Sequence, residues 1–196
     1  MKKTLLLAAA MAALTALTMA TTAHAETRQH WASLDGYVRL QPNGRVLAND
    51  SLEDRAKIND LFALWGLSFD EGQTDVIGSL FTDNGTLNVL QGSATPIVSN
   101  TGRDNIMQSV ASAAKQQGDQ RRHAISNVYI QTMDETHATA VAYGIVTMIK
   151  GDAILLNASV FYRANLEKGA DGVWRFSELN IGMDTYVGKK PVEDKP

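Results

Sequence analysis

Four β-rich runs joined by short polar links fill the second half of this sequence and restrict its fold more than any other feature. The runs cover residues 123–133, 138–150, 153–167 and 173–183. The links contain Asp134-Glu135, Gly151-Asp152 and the glycine-rich stretch 169–172. Links this short cannot carry a crossover between parallel strands, so successive runs must pair as antiparallel hairpins. The sequence therefore predicts an antiparallel meander of long strands.

The region before the meander has helical periodicity. Ser51, with Asp54 three residues later, predicts a capped helix start. The apolar residues that follow at spacings of three and four are Ile58, Leu61, Phe62, Trp65 and Phe69. Gly72 predicts a left-handed cap that ends this helix near Asp70. Two further helices are predicted over residues 74–81 and 103–117, with a turn at 83–85 and a strand at 86–90.

Helices followed by a meander are typical of an α+β domain in which helices cover one face of the sheet. The chain of 196 residues has no cysteine, which excludes disulfides, thiol nucleophiles and thiolate metal sites. It has 18 basic and 21 acidic residues, with no basic stripe for nucleic acid. We expect one packed domain over residues 51–185, a polar tail over 186–196 and no nucleic-acid partner.

Residues 1–25 differ from the rest of the chain. Lys2 and Lys3 precede an uncharged run rich in Ala, Leu, Met and Thr, which ends in the small-x-small pattern Ala23-His24-Ala25. This pattern predicts a signal peptide cleaved after Ala25 and a periplasmic or secreted protein that leaves the membrane. The alternative is a retained anchor, because the run is long enough to span a bilayer. Residues 26–50 form a polar lead-in, and the turn signal at 41–44 favours a hairpin there.

Five short motifs stand in order between Leu52 and Met183. They are Ile58-Asn59-Asp60-Leu61-Phe62-Ala63-Leu64-Trp65 followed by Asp70, Leu80-Phe81-Thr82-Asp83-Asn84-Gly85-Thr86, Gly102-Arg103-Asp104-Asn105-Ile106, Arg122-His123-Ala124-Ile125-Ser126-Asn127, and Gly172-Val173-Trp174-Arg175-Phe176. Together they resemble the SnoaL-like branch of the nuclear transport factor 2-like superfamily.

The resemblance implies a cone, in which a strongly curved antiparallel sheet wraps against three helices and an apolar pocket opens between them. It also implies a homodimer formed through the outer face of the sheet. Members include dehydratases, isomerases, epoxide hydrolases and polyketide cyclases, and also proteins without catalysis. The fold therefore does not assign a function by itself.

Asp70 lies near the inner end of the first predicted helix, where the resemblance implies a catalytic carboxylate. Burial in an apolar pocket would disfavour its charged form and suit it to proton transfer. The alternative is a solvent-exposed Asp that ends the helix beside Glu71 and Gly72.

His123 matches the histidine that dehydratase-like members use as general acid or base. Imidazole titrates near neutrality, so a histidine held by Asp70 can remove a proton and return it elsewhere on the same substrate. Strand alternation predicts that its face also contains Ile125, Asn127, Tyr129 and Gln131. The alternative is a histidine at a solvated strand end beside Arg121 and Arg122.

Asn127 is predicted to hydrogen-bond a substrate oxygen from that face, or else to satisfy backbone groups in a bent strand. The candidates for pocket lining are aromatic residues and methionines, namely Trp65, Phe69, Met107, Tyr143, Met148, Phe161 and Met183. Side chains of this kind are often core residues without a ligand. Phe161 and Tyr162 are adjacent, so only one of them can face the pocket.

Two functions follow from these residues. The first is a cofactor-independent lyase, isomerase or hydrolase for a small hydrophobic molecule, with Asp70 and His123 as an acid/base pair. The second is a non-catalytic module that binds a small molecule or dimerises. Phe69 stands where related dehydratases often have a tyrosine, and this departure favours the second. No cofactor or metal is expected, because no two of the four histidines stand at ligand spacing.

Overall fold

A computed structural model of the chain describes residue 40 and residues 47–91 and 95–184. The predicted signal segment, the predicted turn at 41–44 and the predicted tail lie outside the described residues. In the part of the chain that is described, no helix is both long enough and apolar enough to cross a membrane.

The first helix, α1, covers Leu52–Asp70, as predicted. Ser51 caps its start, because the Ser51 Oγ accepts a hydrogen bond of 3.2 Å from the backbone N–H of Asp54. Beyond its end, Gly72 has a φ of 64°, the left-handed conformation that glycine adopts without strain. The apolar residues that α1 buries are Ile58, Leu61, Phe62 and Trp65. These are four of the five residues whose spacing predicted the helix, and the fifth, Phe69, is partly buried against the main core.

Two shorter helices complete the helical layer. They are α2 over Thr74–Ser79 and α3 over Arg103–Gln116. The Met107 side chain of α3 packs directly over Gly78 of α2, where an added Cβ would lie 2.3 Å from the Met107 sulfur. Glycine at position 78 therefore allows the two helices to approach closely.

Within the described residues, six strands form one sheet in the order β2-β1-β6-β5-β4-β3. They are β1 Phe81–Gln91, β2 Pro96–Thr101, β3 Gln120–Met133, β4 His137–Lys150, β5 Ala153–Lys168 and β6 Trp174–Met183. The predicted meander corresponds to β3 through β6, which pair as successive antiparallel neighbours. The α+β cone, with three helices against a curved sheet, is confirmed.

The structure corrects the prediction around residues 81–101. The expected turn at Asp83-Asn84-Gly85 does not separate a helix from a strand, because β1 runs through it with a register shift between Phe81 and Thr86. Gly85 makes this possible, since an added Cβ would lie 2.9 Å from the Phe176 carbonyl oxygen. Strand β2 was not predicted, and β1 pairs with β6 in parallel. The sheet is therefore mixed rather than purely antiparallel.

The inner face of the sheet packs against the helices and forms the main core. Tyr162 and Val146 belong to this face and join Phe62 and Trp65 in one buried cluster. The outer face faces away from the helices and has a smaller cluster, which consists of Leu90, Val141 and Phe161 with Tyr129 packed against it.

A bulge in β3 changes which residues face inward. The register shifts between Ser126 and Tyr129, and Asn127 in the bulge has a φ of 55°. The predicted alternation holds from His123 to Ile125, which packs against the main core. It fails beyond the bulge, because Tyr129 packs on the outer face.

A buried carboxylate fastens the start of α1 to the far ends of β5 and β6. Asp54, 3% exposed, accepts hydrogen bonds from the Trp174 Nε1 at 2.9 Å and the Asn49 Nδ2 at 3.2 Å. The Lys168 Nζ lies 2.8 Å from Asp54 Oδ1. Burial opposes ionisation, but the hydrogen bonds from Lys168 and Trp174 outweigh it and hold the pKa of Asp54 below its ordinary value.

Candidate active site

Asp70 and His123 meet where the last turn of α1 crosses the start of β3. The Asp70 Oδ1 lies 2.6 Å from the His123 Nδ1, and the Asp70 Oδ2 accepts a hydrogen bond of 2.7 Å from the His123 backbone N–H. One carboxylate thus holds both the main chain and the ring of the same histidine. The two residues that the sequence singled out are therefore in direct contact.

Both side chains are shielded from water. The exposed fraction is 3% for the Asp70 side chain and 11% for that of His123. The Phe69 ring lies against the imidazole in an edge-to-face arrangement, with 5.1 Å between ring centroids. The two alternatives of an exposed helix-end Asp and a solvated strand-end His do not describe this geometry.

Gly66, about one turn before the end of α1, allows the helix to approach β3. An added Cβ there would lie 3.2 Å from the His123 Cβ and 3.4 Å from the His123 carbonyl oxygen. Sequence reasoning gave Gly66 no role. The signal available in the sequence is a glycine inside a strongly periodic helix, a position where glycine is unfavourable unless packing requires it.

The hydrogen bonds determine which ring nitrogen of His123 has the proton. An ionised carboxylate only accepts hydrogen bonds, so a neutral His123 keeps its proton on Nδ1, facing Asp70. The lone pair of the imidazole then lies on Nε2, on the side of the ring away from Asp70. This arrangement can remove a proton from a bound molecule, and Asp70 stabilises the imidazolium that forms.

Tyr162, on the inner face of the sheet, and Trp65, on α1, both belong to the main core. Burial raises the pKa of the Tyr162 phenol, the Trp65 indole N–H lowers it in part, and the negative charge of Asp70 raises it further. The Tyr162 hydroxyl therefore stays protonated. The Trp65 Nε1 is itself buried and has no hydrogen-bond partner within the described residues.

The other predicted site residues are divided between the two faces. Trp65, 2% exposed, and Phe69 lie beside the pair, and Met148 is on the inner face two residues beyond Val146, the partner of His123. Tyr143 and Phe161 lie on the outer face.

Tyr143 and Phe161 face each other on the outer face of the sheet, with ring centroids 5.7 Å apart. Tyr162 is therefore the residue of the adjacent pair that points inward, and Phe161 does not line an inner pocket. Tyr143 is 55% exposed. Asn127 is exposed in the β3 bulge, which agrees with its alternative as a residue of a bent strand. The β3 bulge determines the position of Asn127, and strand register determines those of Tyr143 and Phe161. Neither the bulge nor the register was predictable from composition.

Two surface grooves lie elsewhere. One, of about 540 Å³, lies between residues 47–48 and the β3–β4 link, and the other, of about 380 Å³, lies between α1 and the β5–β6 link. Neither contains Asp70 or His123. Among residues 47–91 and 95–184, no group of three or more His, Asp or Glu side chains is arranged to hold a metal ion.

These features define a class of protein: an α+β cone of three helices on a curved mixed sheet, with a buried carboxylate–imidazole pair on its inner side. Residues 50–180 match the SnoaL-like domain family. The chain belongs to this family. A comparison with curated protein sequences finds no match.

Solved structures share this fold at low sequence identity. One is an NTF2-like protein with a cystatin-like fold from Novosphingobium aromaticivorans, with 20% identity, TM-score 0.58, and coverage of 67% of this chain and 82% of that chain. Another is ActVI-ORFA from Streptomyces coelicolor, with 18% identity, TM-score 0.57, and coverage of 66% and 96%. A third, from Catenulispora acidiphila, is in complex with S-DNPA, with 22% identity, TM-score 0.58, and coverage of 68% and 95%.

Proposed function

We propose that this chain is a cofactor-independent enzyme of the lyase, isomerase or hydrolase type, which acts on a small, largely apolar molecule. His123 is the proton-transferring residue and Asp70 orients it. The observation that carries the proposal is the 2.6 Å contact between Asp70 Oδ1 and His123 Nδ1 at a site where both side chains are almost fully buried. A base shielded from water is more effective than a solvated one, because each electrostatic interaction in the site is stronger there.

The proposed chemistry uses the chain and its substrate, and in a hydrolase also a water molecule. The neutral His123 takes a proton from an acidic C–H or O–H of the substrate through Nε2, and it becomes imidazolium against the Asp70 carboxylate. The same proton then returns to a leaving hydroxyl in a lyase or to another carbon in an isomerase. In a hydrolase the proton comes from a water molecule, whose oxygen forms a bond to the substrate, and the imidazolium returns the proton to the leaving group as its bond breaks.

The test uses a proton-abstraction probe, because such a probe reports on the base itself. Nitrobenzisoxazole is apolar and opens when a base removes its ring proton, which gives a coloured phenolate. We expect the wild-type chain to catalyse this elimination and His123→Ala to reduce the rate to the buffer level. His137→Ala is the matched control, because the His137 side chain is 67% exposed at the start of β4. Equal rates in the two variants, with both still folded by circular dichroism, would support a non-catalytic binding module.

We also propose that the chain forms a homodimer through the outer face of the sheet. The large apolar side chains exposed there are Tyr143, Ile145, Ile149, Ile154 and Leu156. A contiguous apolar surface of this kind is typical of an interface. Ile145→Glu should give a monomer in sedimentation experiments, whereas Leu67→Glu, at an exposed position of α1, should leave the dimer intact. A wild-type monomer would exclude this dimer.

Export completes the proposal. The leader over residues 1–25 is expected to be removed after Ala25, so that the mature chain begins at Glu26. Mass spectrometry of the protein recovered from a bacterial periplasmic fraction tests this. A full-length chain that remains with the membrane fraction would support the retained anchor instead.

A further inference from the structure

Arg121 lies next to His123 on the inner face of the edge strand β3. His123 pairs with Val146 and Arg121 pairs with Met148, and Val146 is part of the main core. Residues two apart on a strand point to the same side and have Cα atoms about 7 Å apart. The cationic side chain therefore originates one strand repeat from the proposed base, toward the start of β3.

The guanidinium of Arg121 is held at Nε, and its two terminal nitrogens make no hydrogen bond to any residue that the structure describes. Its Nε lies 2.9 Å from the Asp119 Oδ1, and the side chains are 29% and 23% exposed. Asp119 is the acidic partner of Arg121 among the described residues, and it engages Nε alone. The two terminal nitrogens are not held by this contact. A guanidinium edge of this kind binds a carboxylate through two parallel hydrogen bonds.

The surface opposite Arg121 is apolar. Met148 is half-buried, and its partner across β4 and β5 is Leu155, which is 39% exposed on the same inner face. An exposed leucine on the side of the sheet that otherwise packs against helices can bury an apolar ligand. A cationic group and apolar groups thus lie on adjacent strands next to His123.

From this juxtaposition we infer that the site takes an apolar carboxylic acid, whose carboxylate binds the terminal nitrogens of Arg121 while its apolar body lies against Met148 and Leu155 and extends toward His123. The inference rests on the proposed function, because it names the substrate class of the same site. Arg121 is a substrate-binding residue in this assignment and takes no part in proton transfer.

The experiment compares 2-naphthoate with the uncharged 2-naphthamide, which has nearly the same shape. Calorimetric titration of the purified chain should show that the acid binds more tightly than the amide. Arg121→Gln should weaken binding of the acid by about tenfold or more and leave binding of the amide unchanged. Arg122→Gln is the matched control. Arg122 is the next residue along the strand, its side chain is 58% exposed, and it pairs with Glu71. The Arg122→Gln variant should bind both probes as tightly as the wild type does.

Equal affinity for the two probes, no measurable binding of either up to its solubility limit, or an equal effect of the Arg121 and Arg122 substitutions would overturn the inference. If Arg121→Gln fails to fold, Arg121→Lys serves as the second variant. It keeps the charge but loses the bidentate geometry, so it should still weaken binding of the acid and not binding of the amide. Failure here is separate from failure of the proposed function, which depends on the His123 variant in the elimination assay.

Discussion

Replacing Asp70 by Asn should reverse the roles of the two ring nitrogens of His123. Asp70 accepts two hydrogen bonds, from the His123 backbone N–H at 2.7 Å and at the ring Nδ1 at 2.6 Å. The backbone N–H can only donate, so Asn must place its single carbonyl oxygen there. Its NH₂ group then faces Nδ1 and can only donate, which forces the imidazole proton to Nε2. Nε2, the proposed base, then becomes a hydrogen-bond donor.

The size of the effect follows from this geometry. Loss of general-base catalysis costs about 10²- to 10⁴-fold in rate, which corresponds to roughly 3–5 kcal/mol in the activation barrier. Stability should change little, by about 1 kcal/mol, because the amide fills the same space and every hydrogen bond keeps a partner of the right type. The variant should therefore be folded and inactive.

Nitrogen–proton correlation NMR of the imidazole nitrogens reads the tautomer directly, without a known substrate. The wild type should have its proton on Nδ1 and Asp70→Asn should have it on Nε2, with the His123 signals identified by their absence in His123→Ala. Glu71→Gln, at the exposed neighbouring position, is the control and should behave as wild type. A proton that stays on Nδ1 would refute the hydrogen-bond argument. An unchanged elimination rate after a tautomer switch would refute the role of Nε2.

Three further predictions concern stability. Asp54→Ala should lower the free energy of unfolding, measured in urea, by about 3 kcal/mol. The substitution leaves the Trp174 indole N–H unpaired and removes the buried partner of Lys168. A loss below about 1 kcal/mol would contradict this. Since the folded pKa of Asp54 is lowered, its stabilisation is complete above about pH 4, the unfolded pKa, and is lost as the pH falls through the folded pKa. The difference between wild type and Asp54→Ala should thus be constant from pH 7 to about pH 5 and shrink only below about pH 4. Gly144→Ala should cost about 1–3 kcal/mol, since its Cβ would lie 2.6 Å from the Tyr162 Cε2, and a neutral result would mean that the Tyr162 ring moves freely.

Local patterns were sufficient to predict most of the fold. The apolar spacing from Ile58 to Trp65 predicted α1, because a helix buries one side and the sequence must repeat at that period. Short links predicted the hairpins of β3 through β6 for a geometric reason, since no other connection fits. Asp134 shows this locally: its Oδ1 accepts hydrogen bonds from the backbone N–H groups of Thr136 and His137 and so shapes the β3–β4 link.

The predictions failed where contacts between distant parts of the chain determine the local structure. Strand β2 is exposed throughout most of its length and has no apolar alternation, so its existence depends on pairing with β1. The predicted turn at residues 83–85 is overridden by the close approach of Gly85 to the Phe176 carbonyl. The bulge at Asn127 sends Tyr129 to the outer face, an outcome that strict alternation cannot anticipate.

The candidate site divides in the same way. The sequence by itself determined the residue types, Asp70 at a helix end and His123 at a strand start, and with them the kind of chemistry available. Tertiary structure alone decided that the two touch, because 53 residues separate them and their contact depends on how α1 crosses β3. It also decided that Tyr162 rather than Phe161 faces inward, and that Arg121 stands beside His123 with its Nε bound to Asp119. Side-chain direction follows from strand register, and register is fixed by packing across the whole sheet.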